Sequence, residues 1–318
     1  MKSKRGFEFS FGWLFAVIVG AVIIFLGIYA ATRIANTEEA KSQSFAAKEF
    51  SILTSSFETS LEEDRPDTIS FPEKSILYSD CLATGNFGLQ KLSSSNAKEK
   101  TKGIYSSFAN KYFFSDKEIT GKSFLVWSKP FRMPFKVADI MYIWSEDDKY
   151  CFIDTPQSIE EHLSALRKNN LILNKTISFA SSYDKNEKCR GSLEVCFGGS
   201  INCDINVMEN KVRKDGKQAY YGVNNEDYSL LYAAIFSDPD IYECQLKRLM
   251  MRSSNLALLY SAKSEMVGSK GCGSGLSSGL SLFAQSAASY KNSEDLGQIL
   301  TLAGNLEVEN EALSCPLF

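Results

Sequence analysis

The sequence predicts an α+β fold that is stabilised by disulfide bonds and attached to a membrane by one N-terminal helix. Three observations lead to this prediction. An uncharged apolar run occupies residues 9–32, strand patterns dominate residues 65–225, and helical periodicity follows over residues 226–318. A run of strands followed by a run of helices is typical of the α+β class. We expect both regions to belong to one outer domain.

The apolar run predicts a transmembrane helix over residues 11–32. A helix needs ~20 apolar residues to cross a hydrocarbon layer of roughly 30 Å. Cations in residues 1–10 predict a cytoplasmic N-terminus and an extracytoplasmic location for the remaining chain. A cleaved signal peptide is the alternative, but its apolar region is expected to be only about 7 to 15 residues long.

Small residues recur at every fourth position of the predicted anchor. They are Gly12, Ala16 and Gly20, with the spacing repeated by Gly27 and Ala31. Such a face lets membrane helices approach closely, which predicts a homo- or hetero-oligomer formed through the helix. Small residues are also common in membrane helices that do not associate.

An amphipathic stem is predicted over residues 33–64. Its apolar residues recur at steps of three and four, as a helix requires. They are Ala46, Phe50, Leu53, Phe57 and Leu61. The stem either packs on its own outer domain or provides a partner helix in an assembly.

The cysteines indicate an oxidising compartment. All eight follow the apolar run, and an even number in such a compartment predicts up to four disulfides. They are Cys81, Cys151, Cys189, Cys196, Cys203, Cys244, Cys272 and Cys315. The sequence does not determine the full connectivity.

One cysteine pair follows from a predicted hairpin. If residues 191–197 and 202–208 are antiparallel strands, Cys196 lies opposite Cys203 at a separation that suits a disulfide. Cys189 is the competing partner for either residue. Two further pairs are hypotheses: Cys272 with Cys315, and Cys81 with Cys151. A zinc site is disfavoured because the seven-residue spacing does not match the short ligand spacing of structural zinc sites.

Strand patterns are strongest at residues 124–127, 135–144 and 150–153, where aromatic and branched residues are dense. Pro130 and Pro134 confine the intervening segment to an edge or a loop. A helix with an apolar stripe of Ile159, Leu163 and Leu166 follows, and residues 171–180 are a further strand candidate. Asp215-Gly216 predicts a hairpin turn.

Four helices are predicted in the last third of the chain. They cover residues 229–236, 239–266, 275–290 and 293–306, the second opening at Asp238-Pro239. The negative formal charge of −3 argues against a nucleic-acid partner. Asn174 begins a glycosylation triplet, which fits an external segment.

No catalytic, cofactor or metal residue is predicted. His162 is the only histidine, and it lies beside the apolar stripe of a short helix. The Gly275–Gly279 segment matches a nucleophile-elbow pattern, but the preceding residues are rich in glycine and do not form a strand pattern. The acidic residues Glu146, Asp147 and Asp148 are interpreted as a solvated turn rather than a calcium site.

The N-terminus has the order Lys4-Arg5-Gly6-Phe7 directly before the apolar helix. This segment resembles the leader of type IV pilin-like proteins, including pseudopilins, over about the first 60 residues. The resemblance implies that a peptidase cuts after Gly6 and leaves Phe7 as the new N-terminus. The family's usual glutamate at the fifth position after the cut is replaced here by Phe11.

These observations predict a single-pass membrane protein with a structural or interaction role outside the cytoplasm. The pilin-like resemblance implies a component of a surface assembly. The alternative is an anchored extracellular ligand-binding module or an enzyme whose site comes from residues scattered along the sequence.

Overall fold

The structure is a computed structural model that describes residues 12–33, 66–98, 105–168, 170–198, 203–222, 227–273 and 275–318. The leader residues Gly6 and Phe7 lie outside the described residues, as does the predicted stem beyond Arg33. The chain has an α+β fold, with an apolar N-terminal helix, a strand-rich middle and C-terminal helices.

The first helix, α1 (Gly12–Arg33), has 22 residues, and its most apolar 18-residue window has a mean hydropathy of 2.7. It is the one helix in the described part of the chain that is long and apolar enough to cross a membrane, and none of its most apolar window is buried inside the structure. Its length and composition suit a bilayer span, although an N-terminal signal sequence has the same properties.

A first sheet contains six strands in the order β3-β2-β1-β5-β6-β4. The strands are β1 (Pro66–Leu82), β2 (Leu89–Asn96), β3 (Ser106–Phe108), β4 (Phe113–Phe114), β5 (Glu118–Arg132) and β6 (Lys136–Ser145). Neighbours are antiparallel except for β4 and β6. Alternation along β5 places Leu125 and Trp127 in the main core and Phe124 and Val126 in a second cluster.

Pro130 lies within β5. Among the described residues, the pairing of β1 with β5 extends to Pro66, which lies opposite Trp127, whereas β5 continues beside β6 to Arg132. Pro130 therefore lies beyond the part of β5 that pairs with the described part of β1. The sequence predicts an edge or a loop between Pro130 and Pro134. In the structure, β5 continues through Pro130 to Arg132 beside β6, and the chain bends at residues 133–135.

A second sheet has the order β12-β11-β10-β9-β7-β8. Its strands are β7 (Tyr150–Ile153), β8 (Ile177–Ala180), β9 (Leu193–Phe197), β10 (Ile205–Val207), β11 (Lys211–Lys214) and β12 (Lys217–Tyr220). The four strands from β10 to β8 are parallel. The predicted hairpin joins β11 to β12 through Asp215 and Gly216, whose φ angles are 51° and 73°.

Seven further helices complete the described fold. They are α2 (Gln157–Lys168), α3 (Leu171–Thr176), α4 (Lys185–Lys188), α5 (Ser229–Phe236), α6 (Pro239–Gly268), α7 (Ser277–Ala288) and α8 (Leu296–Glu311). A 3₁₀ turn at Ser293–Asp295 precedes α8. The four predicted C-terminal helices are therefore present, and Asp238 caps α6 by accepting a hydrogen bond from the Asp240 N–H.

The strand prediction for residues 171–180 is wrong over its first half. Asn170 caps α3 because its side-chain oxygen accepts hydrogen bonds from the N–H groups of Ile172 and Leu173. Only Ile177–Ala180 forms a strand. Local capping here determines the secondary structure of an apolar segment whose composition fits either a strand or a helix.

Helix α5 lies between the two sheets, and all eight of its residues are buried. The Phe236 ring stacks on Trp144 of β6 at a centroid distance of 4.5 Å, and Tyr232 lies 4.8 Å from Trp127 of β5. One contiguous cluster of buried apolar residues runs from the first sheet to the C-terminal helices. The strand-rich and helical regions thus share a core.

The eight cysteines form four disulfides. They are Cys81–Cys244, Cys151–Cys189, Cys196–Cys203 and Cys272–Cys315. Cys196 pairs with Cys203, and Cys272 with Cys315, as the sequence predicted. The predicted hairpin around the first of these pairs is wrong, because β9 and β10 are parallel and the disulfide spans their connection.

The hypothesis that Cys81 pairs with Cys151 is wrong. Cys81 in β1 bonds to Cys244 in α6, and Cys151 in β7 bonds to Cys189. The alternative pairing of Cys189 with Cys196 or Cys203 is therefore also wrong. Cys81 and Cys151 lie in different sheets, whereas α6 packs directly on β1. The tertiary packing therefore sets this connectivity.

Candidate functional site

The candidate site lies at the carboxyl ends of the parallel strands in the second sheet. The chain leaves β7 towards β8 on one side, whereas it leaves β9 towards β10 on the other. β7 and β9 are neighbours, so their connections diverge at the sheet edge. In sheets with parallel strands, such a topological switch point opens a crevice in which ligands bind.

A cavity of about 370 Å³ occupies this crevice, and we call it the carboxyl-end pocket. Its size is at the lower end of the ~300–1,000 Å³ range for small-molecule sites. Apolar and aromatic side chains dominate its walls. They are Pro156, Ile159, Val207, Met208 and Leu231, with the rings of Phe197, Tyr221 and Tyr228; Gly198, Gly222, Glu209 and Asp227 complete the lining.

Tyr221 is fixed in the pocket by its hydroxyl group. The hydroxyl donates to the carbonyl oxygens of Met208 at 2.7 Å and Glu209 at 2.8 Å. Burial, with a smaller contribution from the Glu209 charge, raises the pKa of Tyr221 to about 12. The phenol is therefore neutral at physiological pH and holds the turn after β10 against the end of β12.

Tyr228 is also fixed through its hydroxyl group. Its oxygen lies 2.7 Å from the hydroxyl of Ser158, which belongs to α2. The adjacent Asp227 accepts hydrogen bonds from the backbone N–H of Ser229 at 3.0 Å and from the Ser229 hydroxyl at 3.1 Å. Both residues are thus positioned by the start of α5, which is anchored in the core.

The pocket has an acidic character. Glu209 and Asp227 are its charged residues among the described lining, and none of that lining is a lysine, arginine or histidine. Lys129 lies outside the pocket and approaches Asp227 at 4.0 Å. The site combines apolar walls, three aromatic rings and a net negative charge, which are features of a small-molecule binding site.

A second, polar hollow lies at the opposite, amino ends of β9 and β10. Lys185 and Glu194 form an ion pair there at 2.9 Å, and Cys189 and Cys203 contribute to the lining. Glu194, Cys196 and Cys203 place potential metal-binding atoms within 4.8 Å of one another. The sulfurs of Cys196 and Cys203 are bonded to each other in a disulfide, so neither is a thiolate that could bind a metal ion.

The residues considered for hydrolase chemistry are not assembled into a catalytic group. Nδ1 of His162 lies 2.8 Å from the Tyr232 hydroxyl, beside the Trp127 ring. Ser277 begins α7, where its hydroxyl contacts Ser261 at 2.9 Å and Glu265 at 3.1 Å. The preceding secondary element is α6, whereas a nucleophile elbow requires a strand.

The three carboxylates in the turn after β6 each interact with a different partner. Glu146 accepts a hydrogen bond from the Ser123 N–H, and Asp147 pairs with Lys74 at 2.7 Å. Asp148 accepts a hydrogen bond from the Ser145 N–H, and burial raises its pKa. The three residues support the turn individually.

The remaining predicted site residues lie on helices. Asn174 is exposed on α3, and its side-chain oxygen accepts a hydrogen bond from Arg167 at 2.9 Å, while Thr176 of the same triplet is buried. Gly12, Ala16, Gly20, Gly27 and Ala31 lie on α1. A Cβ atom added at Gly20 or Gly27 would meet nothing within 4 Å.

Comparisons with protein-family models, with curated proteins and with solved structures gave no match to this chain. The structure itself is therefore the basis for assigning a function. Sequence reasoning missed the carboxyl-end pocket because its lining comes from five separate segments. The paired tyrosines at 220–221 and the acidic residue beside Tyr228 carried no spacing pattern that would have identified a site.

Proposed function

We propose that this chain is a single-pass membrane protein that presents a non-catalytic binding domain outside the cytoplasm. The observation that carries the binding role is the position of the carboxyl-end pocket at the switch point between β7 and β9. The apolar helix α1 supports the membrane location. Four disulfides support an oxidising compartment.

The test uses the full chain in a maltoside detergent and the neutral probe 4-phenylbutan-1-ol. Its phenyl ring and short chain suit the apolar walls of the pocket. Met208→Trp fills the pocket with a larger side chain and is expected to abolish binding in ligand-observed NMR. Leu282→Trp is the matched control, because Leu282 is 52 % exposed on α7, and it should bind as wild type does.

Detergent micelles also take up the probe, but equally for all three proteins. The difference between wild type and Met208→Trp therefore measures binding in the pocket. Equal signals for wild type, Met208→Trp and Leu282→Trp would contradict a binding role for this pocket.

A role in a surface assembly is the second proposal. The observation that favours it is the small-residue face of α1, on which Gly12, Ala16 and Gly20 recur at every fourth position and a Cβ atom added at Gly20 would meet nothing within 4 Å. The leader resemblance implies processing after Gly6. N-terminal sequencing of protein extracted from membranes tests this proposal: Phe7 as the first residue supports a pilin-like component, and Met1 or Lys2 contradicts it.

A further inference from the structure

We propose that the carboxyl-end pocket binds an organic ammonium ion with an apolar substituent, held by the rings of Phe197, Tyr221 and Tyr228 and by the carboxylate of Glu209. The apolar substituent occupies the wall formed by Ile159, Val207 and Leu231. This inference rests on the proposed binding function and specifies the chemical class of the ligand.

The residues that line the carboxyl-end pocket determine the sign of the charge expected on the ligand. Asp227 is already engaged by Ser229 and approached by Lys129 at 4.0 Å. Glu209 is exposed at the rim, and the described residues provide no hydrogen bond or salt bridge to its carboxylate. A ligand cation would therefore give the Glu209 carboxylate a partner that the described residues do not provide, whereas an anionic ligand would be repelled by both carboxylates.

The aromatic rings provide the second attraction. A cation within about 6 Å of an aromatic ring is attracted to the negative face of that ring, and quaternary ammonium groups are recognised in this way. Phe197, Tyr221 and Tyr228 line the same cavity as Glu209. An ammonium ion with alkyl substituents matches this combination better than a small metal cation, because it does not need a complete shell of oxygen ligands.

The two tyrosines are preorganised for this role. The Tyr221 hydroxyl is bonded to two backbone carbonyls, and the Tyr228 hydroxyl is paired with Ser158. Little rotamer freedom is then lost on binding, which favours affinity. Because both hydroxyl groups are already engaged, the rings rather than the hydroxyl oxygens are left to contact the ligand.

The experiment compares probes with the same phenylbutyl body and different head groups. They are (4-phenylbutyl)trimethylammonium, 4-phenylbutan-1-ol and 4-phenylbutanoate, titrated into the full chain in maltoside detergent. We expect the ammonium to bind about fivefold tighter than the alcohol, and the carboxylate to bind most weakly. Phosphocholine and tetramethylammonium, which both lack the phenylbutyl body, distinguish the source of the cation: equal affinities of these two probes indicate a lipid headgroup, and weaker binding of phosphocholine than of tetramethylammonium indicates a free amine.

Variants separate the two attractions. Glu209→Gln should weaken binding of the ammonium about two- to fivefold and leave the alcohol unchanged. Glu309→Gln, which removes an exposed charge on α8, is the control and should change neither. Tyr228→Leu should weaken binding of the ammonium by about two- to fivefold, whereas Tyr228→Phe keeps the ring, loses only the hydroxyl contact with Ser158, and should weaken binding less than Tyr228→Leu does.

Two results would overturn the proposals at different levels. If the three phenylbutyl probes bind equally and Met208→Trp abolishes all of them, the pocket binds ligands but the ammonium class is wrong. If Met208→Trp changes none of them, the binding function itself is wrong.

Discussion

At the scale of single residues, Arg248 is the most constrained charged group of the described fold. Its side chain is completely buried in α6, where it donates to the carbonyl oxygens of Lys111 at 2.8 Å and Ala109 at 3.0 Å and to the side chain of Gln245. The guanidinium also lies 4.6 Å from the Tyr112 ring centre. Burial lowers the pKa of Arg248 to about 10, so it stays charged at neutral pH.

We predict that Arg248→Met lowers the free energy of unfolding by about 2 to 4 kcal/mol, because several buried carbonyl groups lose their donor. Lys247→Met is the control on the same helix, since Lys247 is exposed. It should change stability by less than about 0.5 kcal/mol. Thermal unfolding of the full chain in detergent measures both, and equal losses would contradict the buried-donor role.

Gly88 is required by space as well as by backbone conformation. Its φ is +58°, and an added Cβ would collide with the Leu82 carbonyl oxygen and approach the Arg248 side chain. Gly85 has a similar φ of +76°, but an added Cβ meets nothing within 4 Å. Substitution of Gly85 therefore tests the cost of the backbone conformation alone, whereas substitution of Gly88 tests that cost together with the steric collision.

We expect Gly85→Ala to cost about 1 kcal/mol, since only the left-handed conformation is penalised. Gly88→Ala should cost at least about 2 kcal/mol, because the backbone must also move. Urea unfolding of both variants provides the measurement. A loss at Gly88 no larger than that at Gly85 would show that the turn relaxes freely.

At the scale of elements, the disulfides differ greatly in the length of chain that they close. Cys81–Cys244 joins β1 to α6 across a separation of 163 residues, whereas Cys196–Cys203 closes a separation of 7. The loop-entropy treatment gives about 5 kcal/mol for the first and about 2 kcal/mol for the second. The long-range bond is thus the one that holds the strand-rich region to the helical region.

We predict a larger loss of stability for the double variant Cys81→Ala/Cys244→Ala than for Cys196→Ala/Cys203→Ala. Each double variant removes the bond without leaving a free thiol. Denaturant titration of the full chain should show a difference of about 2 to 3 kcal/mol. A greater loss for the short-range pair would contradict this ranking.

The elements that the sequence predicted correctly have strong local signals. Asp215-Gly216 supplies the two positive φ angles of a tight hairpin, and Asp238-Pro239 supplies the cap and first residue of α6. The strand direction of β9 and β10 has no comparable signal. Two apolar strands beside a Gly-rich connection fit either direction until their neighbours, β7 and β11, are positioned.

At the scale of the whole molecule, the sequence predicts the order of regions but not their contacts. The apolar helix, the strand-rich region and the helical region are visible as composition and periodicity. The Cys81–Cys244 bond and the carboxyl-end pocket join residues that are distant in sequence, so they depend on how the sheets pack against α5 and α6. The pocket is therefore a property of the assembled domain and not of any motif.

The central claim is that a membrane anchor carries a domain closed by disulfides outside the cytoplasm. Intact mass of the protein extracted from membranes tests it most directly, with thiol labelling before and after reduction. We predict an N-terminus at or before Phe7, no labelled cysteine before reduction, and all eight labelled after it. An N-terminus beyond Arg33, or eight thiols labelled without reduction, would contradict the claim.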